Sequence, residues 1–284
     1  MPIDPDALLA TVLSDVPVSY AERDAMLYAL GVGLGSDPLD PRELPYVFEQ
    51  RGLRIVPSMA SMLIPDTIVA GTGCDLSQML HRSQTLELFR PLLPSGKLLA
   101  NQRVVAVADR GGDRGGEIEI ETELRRADDD TVVCLLGSRL LMRGDGGFGG
   151  SPPAARARQT MPDRDVDLVC DLKTRPDQAL LFRLSGDLNP LHADPRVAAA
   201  AGFSRPVLHG RCTYGIACHA ILRTVCDYDY TLISGLDVRF SSPVYPGEVI
   251  TTDMWQERNI VWFRCRVKAR GVVVIDDGKC TLFA

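Results

Sequence analysis

The segment Ala25-Met26-Leu27-Tyr28-Ala29-Leu30 returns in altered form 154 residues later as Ala179-Leu180-Leu181-Phe182-Arg183-Leu184. Farther on, Phe89-x-Pro91-x-x-Pro94-x-Gly96 returns as Phe240-x-x-Pro243-x-x-Pro246-Gly247, its prolines displaced by 152. Two matches at nearly one offset imply a duplication, which commits the chain to two like units. Each apolar segment follows a Ser19 or Thr174 able to cap a helix. Runs rich in β-branched and aromatic residues come next: Lys97 to Val107, Gly116 to Leu124 and Thr131 to Met142 in the first half; Gly235 to Phe240, Glu248 to Trp255, Ile260 to Ala269 and Val272 to Leu282 in the second. A helix followed by antiparallel strands argues an α+β unit. Between the halves, Gly144 to Arg158 is dense in Gly, Pro and small residues, as a linker is. The boundaries expected are a first repeat at 1–145, a linker at 146–160 and a second repeat at 161–284. The glycine-rich part follows a strand but precedes no helix, so a phosphate cradle there is the weaker reading.

Chemistry concentrates in the second half. Asp187, Asn189 and His192 fall within six residues. Asn189 precedes Pro190, which pushes it out of helical geometry and folds the segment into a turn where Asp187 and His192 can converge. Asp194-Pro195 reads as an N-cap with proline in the first turn of a short helix through Ala198–Ala201, ended by Gly202. After Pro206-Val207-Leu208-His209-Gly210, the residues from Cys212 to Cys226 are small or apolar and suit a buried helix whose first N–H groups lie near Gly210. A glycine lets a ligand oxygen approach closely, and unpaired N–H groups at a helix start favour negative charge. An acid/base pair therefore stands beside a site for a carbonyl oxygen. His209 is read as tying the loop through a backbone hydrogen bond, and His219 as a satisfied core histidine. Carried back by 154, Asp187 falls on Gly33 and His192 on Pro38. Neither transfers a proton, so the first half is expected to lack the reaction.

The run LSGDLNPLHADP with AGFSRPVLHG resembles the signature of the R-specific, type 2 enoyl-CoA hydratases of the MaoC-like group, including the hydratase part of peroxisomal multifunctional enzymes. The likeness extends through YAERDAMLYALGVGLGSDP, LHRSQTLELFRPL, RGDGGFGG and VRFSSPVYPGEVITTDMW, most of the chain. It implies a double hot-dog, two repeats each with a central helix wrapped by an antiparallel sheet. It also implies hydration of trans-2-enoyl-CoA to (3R)-3-hydroxyacyl-CoA, in degradation of fatty acids or steroid side chains, with no metal or redox cofactor. Asp187 and His192 then share the proton transfers, Asn189 holds the water or orients His192, and the Gly210 N–H receives the thioester oxygen. The vacated first half is expected to house the acyl chain among Gly31, Gly33, Gly35, Ser58, Ala60 and Ser61. By the same resemblance His81 and Arg82 touch the acyl-CoA, Arg110 lies near its CoA moiety and Phe240 is an aromatic contact. Many relatives have His-Gly where this chain has His81-Arg82.

Composition excludes more than it selects. A net charge of −6 without a long Lys/Arg run disfavours nucleic acid, and no apolar stretch spans a bilayer. The expected setting is cytoplasmic. Eight scattered cysteines without C-x-x-C read as buried thiols, against zinc or disulfides. A homodimer is the default assembly. Two other functions stay open, an acyl-CoA thioesterase on the same fold and a non-catalytic accessory subunit. A nucleophilic Cys212 with His209 is a weaker one.

Overall fold

The computed structural model describes residues 3–65, 68, 71, 73–74, 78–154, 159 and 161–283. Residues 155–158 and 160 of the expected linker lie outside this set. Ten strands form one continuous antiparallel sheet: β1 (Val12–Tyr20), β2 (Met79–Leu88), β3 (Gly96–Asp109), β4 (Gly116–Arg126), β5 (Val132–Met142), β6 (Leu168–Lys173), β7 (Ile233–Phe240), β8 (Val249–Glu257), β9 (Ile260–Val267) and β10 (Val272–Leu282). Their order is β1-β3-β4-β5-β2-β7-β10-β9-β8-β6. Read inward from either edge, the chain takes the same path twice and meets itself at β2 and β7, where Ser83 pairs Arg239, Gln84 pairs Val238 and Glu87 pairs Gly235. This is the double hot-dog that the duplication and the resemblance led us to expect.

In each unit a strand, β1 or β6, precedes the repeated helical segment, Glu22–Gly31 or Gln178–Phe182, which corrects the helix-first reading; a short helix, Pro5–Leu9, stands before β1. β1 and β6 are the two sheet edges. β1 carries Pro17 opposite Leu99, tolerable where no second neighbour needs its missing N–H, and Asp15 at φ 55° where the register shifts. Ser19 belongs to β1, opposite Lys97, and caps nothing. The helix Glu22–Gly31 starts instead after Ala21, whose N–H donates to the Asp24 carboxylate at 2.9 Å. Thr174 likewise donates its hydroxyl to the Glu248 carbonyl at 2.8 Å rather than capping the helix Gln178–Phe182.

The helix Gly210–Thr224 runs through the core of the second half, buried from Cys212 to Leu222. It crosses the end of the first-half helix so closely that a Cβ on Gly215 would lie 2.4 Å from Val32 Cγ1 and 2.7 Å from the Tyr28 hydroxyl. Only glycine permits that crossing. Against it packs the six-residue 3-10 turn Pro57–Met62 of the first half. The glycine-rich stretch after β5 does form a cradle, but for a carboxylate of the chain itself: N–H groups of Gly111, Gly147 and Gly149 donate to Asp109 at 2.8, 2.9 and 2.7 Å. Those donors are thereby satisfied.

Candidate active site

The loop from Gly186 to His209 is shaped by its own side chains. Asn189 takes extended geometry at ψ 123°, and its amide oxygen accepts from the Leu191 N–H at 3.0 Å, opening the 3-10 turn Pro190–His192. Asp194 caps the helix Pro195–Ala200 by accepting from the Arg196 N–H at 2.8 Å. Leu191, Ala198, Ala201 and Val207 form a small core of their own, against which Leu80 of β2 packs. Arg143, beyond β5, donates to the Ala201 carbonyl at 2.9 Å. The loop is thus clamped between both halves, which fixes where Asp187 and His192 point.

Asp187 and His192 converge. With His209 they bring a carboxylate oxygen and ring nitrogens within 4.8 Å of one another. His192 Nδ1 lies 2.9 Å from the Val207 carbonyl. A carbonyl only accepts, so Nδ1 carries the hydrogen and Nε2 is the basic nitrogen. Burial holds the imidazole below its ordinary pKa against the pull of Asp187, and keeps it neutral. Burial pushes Asp187 the other way, but His209, Arg211, His192 and the Asn189 N–H together outweigh it and hold the carboxyl below the usual range. The resting pair is a carboxylate and a neutral imidazole. Among the described residues this is the cluster with a metal-like donor set. The rings of His192 and His209, however, stack at 3.7 Å and 29°, which sets their in-plane lone pairs side by side rather than on one point. That arrangement suits proton transfer better than chelation.

Gly210 is the first residue of the long helix, with His209 as N-cap and no side chain capping the end. Its N–H is among those that the helix itself leaves without a partner. A Cβ there would sit 3.3 Å from His81 Cβ and 3.6 Å from Phe240 Cζ. Glycine therefore keeps the helix start level with β2 and β7. Asp187, Asn189, His192, Gly210, His81, Arg82 and Phe240 all line one cavity of about 530 Å³, walled largely by Leu80, Leu140, Leu141, Val207 and Val244.

Comparison with known proteins places the whole chain in one family. Residues 18–144 match the MFE-2 hydratase 2 N-terminal domain, and residues 157–277 match the MaoC like domain. The chain is 36% identical over 288 residues to a protein of Arabidopsis thaliana named enoyl-CoA hydratase 2, peroxisomal, covering 95% of this chain and 93% of that one. It is 39% identical over 264 residues to the enoyl-CoA hydratase ChsH3 of Mycobacterium tuberculosis, covering 90% and 91%. The crystal structure of a MaoC-like dehydratase from Phytophthora capsici superposes with a TM-score of 0.85 at 33% identity over 99% of this chain and 98% of that one. This chain belongs to the MaoC-like hydratase 2 family.

Within this MaoC-like frame the expected substrate contacts divide. His81 is partly buried against Phe240, ring centroids 5.3 Å apart, and burial with nearby Arg211 pushes its pKa down to about 3. Arg82 occupies a β-bulge, the extra residue where the register of β2 on β5 slips between His81 and Ser83. It lines the catalytic cavity and also a neighbouring one of about 220 Å³, shared with Arg110, Arg139 and Arg239. Those three arginines have carboxylates: Arg110 meets Glu117 at 3.0 Å, Arg139 meets Glu119 at 2.7 Å, and Arg239 meets Asp276 at 2.7 Å and Asp277 at 2.8 Å. Among the described residues Arg82 has no such ion pair. Arg110 lines the second cavity but not the one that holds Asp187 and His192.

The small residues of the first half are absent from the lining of the cavity that holds Asp187 and His192. A Cβ on Gly31 would lie 3.2 Å from Phe182, and one on Gly35 would lie 3.3 Å from Val47. Tyr28 donates to Ser58 Oγ at 2.9 Å, and Ser61 donates to the Ser58 carbonyl at 2.8 Å. Beside Gly33 and Gly35 stands Glu43, which accepts from the Gly35 N–H at 2.6 Å and from Tyr228 at 2.9 Å, with His219 Nε2 at 3.5 Å. Side chains fill this region. Nothing in the sequence joined Glu43 to His219 and Tyr228, which lie more than 170 positions away. His209 does make the backbone bond expected of it, to the Asp187 carbonyl at 3.1 Å. Its stacking on His192 had no local signal.

Proposed function

We propose that this chain adds water to trans-2-enoyl-CoA and gives (3R)-3-hydroxyacyl-CoA, a reversible hydro-lyase reaction of fatty acyl or steroid side-chain degradation. The observation that carries the reading is that Asp187, His192 and the first N–H groups of a buried helix face one largely apolar cavity. The names of relatives that match nearly the whole chain support the same reaction. Coenzyme A enters as part of the substrate, no further cofactor is required, and a two-fold dimer is the assembly we assign.

The steps follow from the protonation states. The thioester oxygen accepts from the Gly210 N–H, which draws charge off C3 and stabilises the enolate-like state. Water held between Asp187 and His192 Nε2 loses a proton as its oxygen attacks C3. With a carboxylate and a neutral imidazole the pair stores no proton at rest, so the proton taken from water is the one delivered to C2. Both groups act from one side of the alkene, and H and OH arrive on one face. Asn189 holds the turn that presents His192. The first repeat, residues 1–145, contributes the β2 and β5 wall of the cavity, His81 included, and in this reading takes no part in the proton transfers.

Incubation with crotonyl-CoA, followed by loss of conjugated absorbance, free-thiol release and chiral analysis of the product, tests the reading. The (3R) alcohol without CoA release is expected. A (3S) product, or CoA release without hydration, overturns it.

A further inference from the structure

Three parts of the site meet on one residue that performs none of their chemistry. His209 is fully buried. Its Nε2 lies 3.1 Å from the Asp187 carbonyl, so Nε2 carries the hydrogen and the backbone of the carboxylate residue hangs on it. One ring face covers His192 at 3.7 Å, and Phe182 abuts it at 5.0 Å and 50°. Through its own peptide bond it sets the Gly210 N–H. Its second nitrogen, Nδ1, is buried with no hydrogen-bond partner among the described residues. Such an orphan is costly, and a residue chosen only to fill the core would not carry one.

We infer that His209 is a positioning residue that fixes Asp187, His192 and the Gly210 N–H relative to one another. The inference rests on the reading of Asp187 and His192 as the reacting groups. Burial and the neighbouring His192 push the His209 pKa down to about 3, so its ring stays neutral while His192 gains and loses a proton against its face. A cation at His209 would oppose any uptake of the transferred proton by His192. The stack prevents His192 from swinging out of the plane that aims Nε2 at the cavity, and the bond to Asp187 holds the carboxylate at one distance from it. A displacement of about 1 Å in such a constellation costs on the order of 100-fold in rate.

Two substitutions separate the contacts. His209→Phe keeps a ring on His192 and removes the N–H to Asp187; His209→Gln keeps an N–H at the same bond distance from the backbone and removes the ring. Each is expected to lower kcat by roughly 10- to 100-fold with KM within about threefold, in protein whose circular dichroism matches the parent. In an Asp187→Asn background the loss from His209→Phe should largely vanish, because the group it positions is already gone. Wild-type kcat in both variants overturns the inference. So does an effect that adds in full to Asp187→Asn, or failure of both variants to fold, which would make the ring a packing residue. Activity surviving in Asp187→Asn and His192→Gln themselves would instead overturn the proposed reaction, and the two failures are thereby distinguished.

Discussion

Tyr28 and Phe182 occupy equivalent positions in the two halves, 154 residues apart, and their rings touch at a centroid distance of 5.8 Å. The internal symmetry of the fold passes between them, and the helices Glu22–Gly31 and Gln178–Phe182 meet there. Five positions beyond each ring the halves part in chemistry, with Gly33 on one side and Asp187 on the other.

The first prediction concerns the reacting pair. Asp187→Asn and His192→Gln should each lower kcat by roughly two to four powers of ten, the range for general acid–base groups, while the melting temperature stays near that of the parent. Asparagine keeps an oxygen for the Asn189 N–H, bonded at 3.3 Å, so the turn survives. Steady-state kinetics with crotonyl-CoA would show it; wild-type turnover in both variants would mean another site.

A second prediction is the pH profile. Activity needs Asp187 ionised and His192 neutral, and both groups are held below their ordinary values of 3.8 and 6.5. The acid limb of kcat/KM should therefore have its midpoint below pH 6.5, with a plateau across neutrality. A midpoint above 6.5 would show that His192 is stabilised as a cation, contrary to its burial.

The filled first-half core leads to a third. Ser58→Leu should destabilise the fold, by about 1–3 kcal/mol for overpacking together with the lost bond from Tyr28. Leu141→Phe, in the cavity wall, should instead lower kcat/KM for long enoyl-CoAs more than for crotonyl-CoA, where misfit methylenes are worth about 1–3 kcal/mol. Thermal melts and a chain-length series read the two. A stable Ser58→Leu with altered length preference would return the acyl chain to the first-half core.

Arg82 supplies a fourth. A half-buried guanidinium without its own carboxylate, lining both cavities, suits a phosphate of the CoA moiety. Arg82→Ala should reduce kcat/KM for crotonyl-CoA by about tenfold and leave crotonyl-N-acetylcysteamine, which has no phosphate, unchanged. Equal losses on both thioesters would assign Arg82 to shaping the bulge.

The fifth is about stability. Burial alone would raise the Glu43 pKa, yet the neighbouring His219 ring, the Tyr228 hydroxyl and the Gly35 N–H hold it below its ordinary 4.5. A carboxyl lowered by folding stabilises the native state fully above its unfolded value and loses that contribution as pH falls through the folded one. Glu43→Gln should lower the melting temperature at pH 7, and the gap to the parent should narrow as pH drops below 4.5. A gap that is constant with pH would place the effect in packing alone.

Strands β3 to β5 and β7 to β10 were legible because they alternate β-branched and aromatic residues between clear breaks. Three others were not. β1 contains Pro17 and a left-handed Asp15, β6 has six residues, two of them charged, and β2 reads as polar because His81, Arg82, Ser83, Gln84 and Thr85 follow one another. The acid/base segment was readable because its parts lie within one loop whose turn and cap are coded locally by Asn189-Pro190 and Asp194-Pro195. The stack of His209 on His192 and the Glu43 cluster were not, since both depend on residues brought together only by tertiary packing. Arg110 shows the reverse limit, a basic residue in a suitable loop whose guanidinium the fold gives to Glu117.

The ladder between β2 and β7 makes each copy of the repeat the structural neighbour of the other. In an assembly of two separate identical chains, any substitution appears on both sides of the axis, so a carboxylate planted in one pocket is planted in both. Joining the copies end to end removes that doubling. Glu43 and Tyr228 can then bond across the axis without mirror images of themselves, and one side is free to accumulate changes that would abolish catalysis if forced upon its sibling. Covalent tethering lets two like units diverge independently, each free of the constraint that a change in one be repeated in the other.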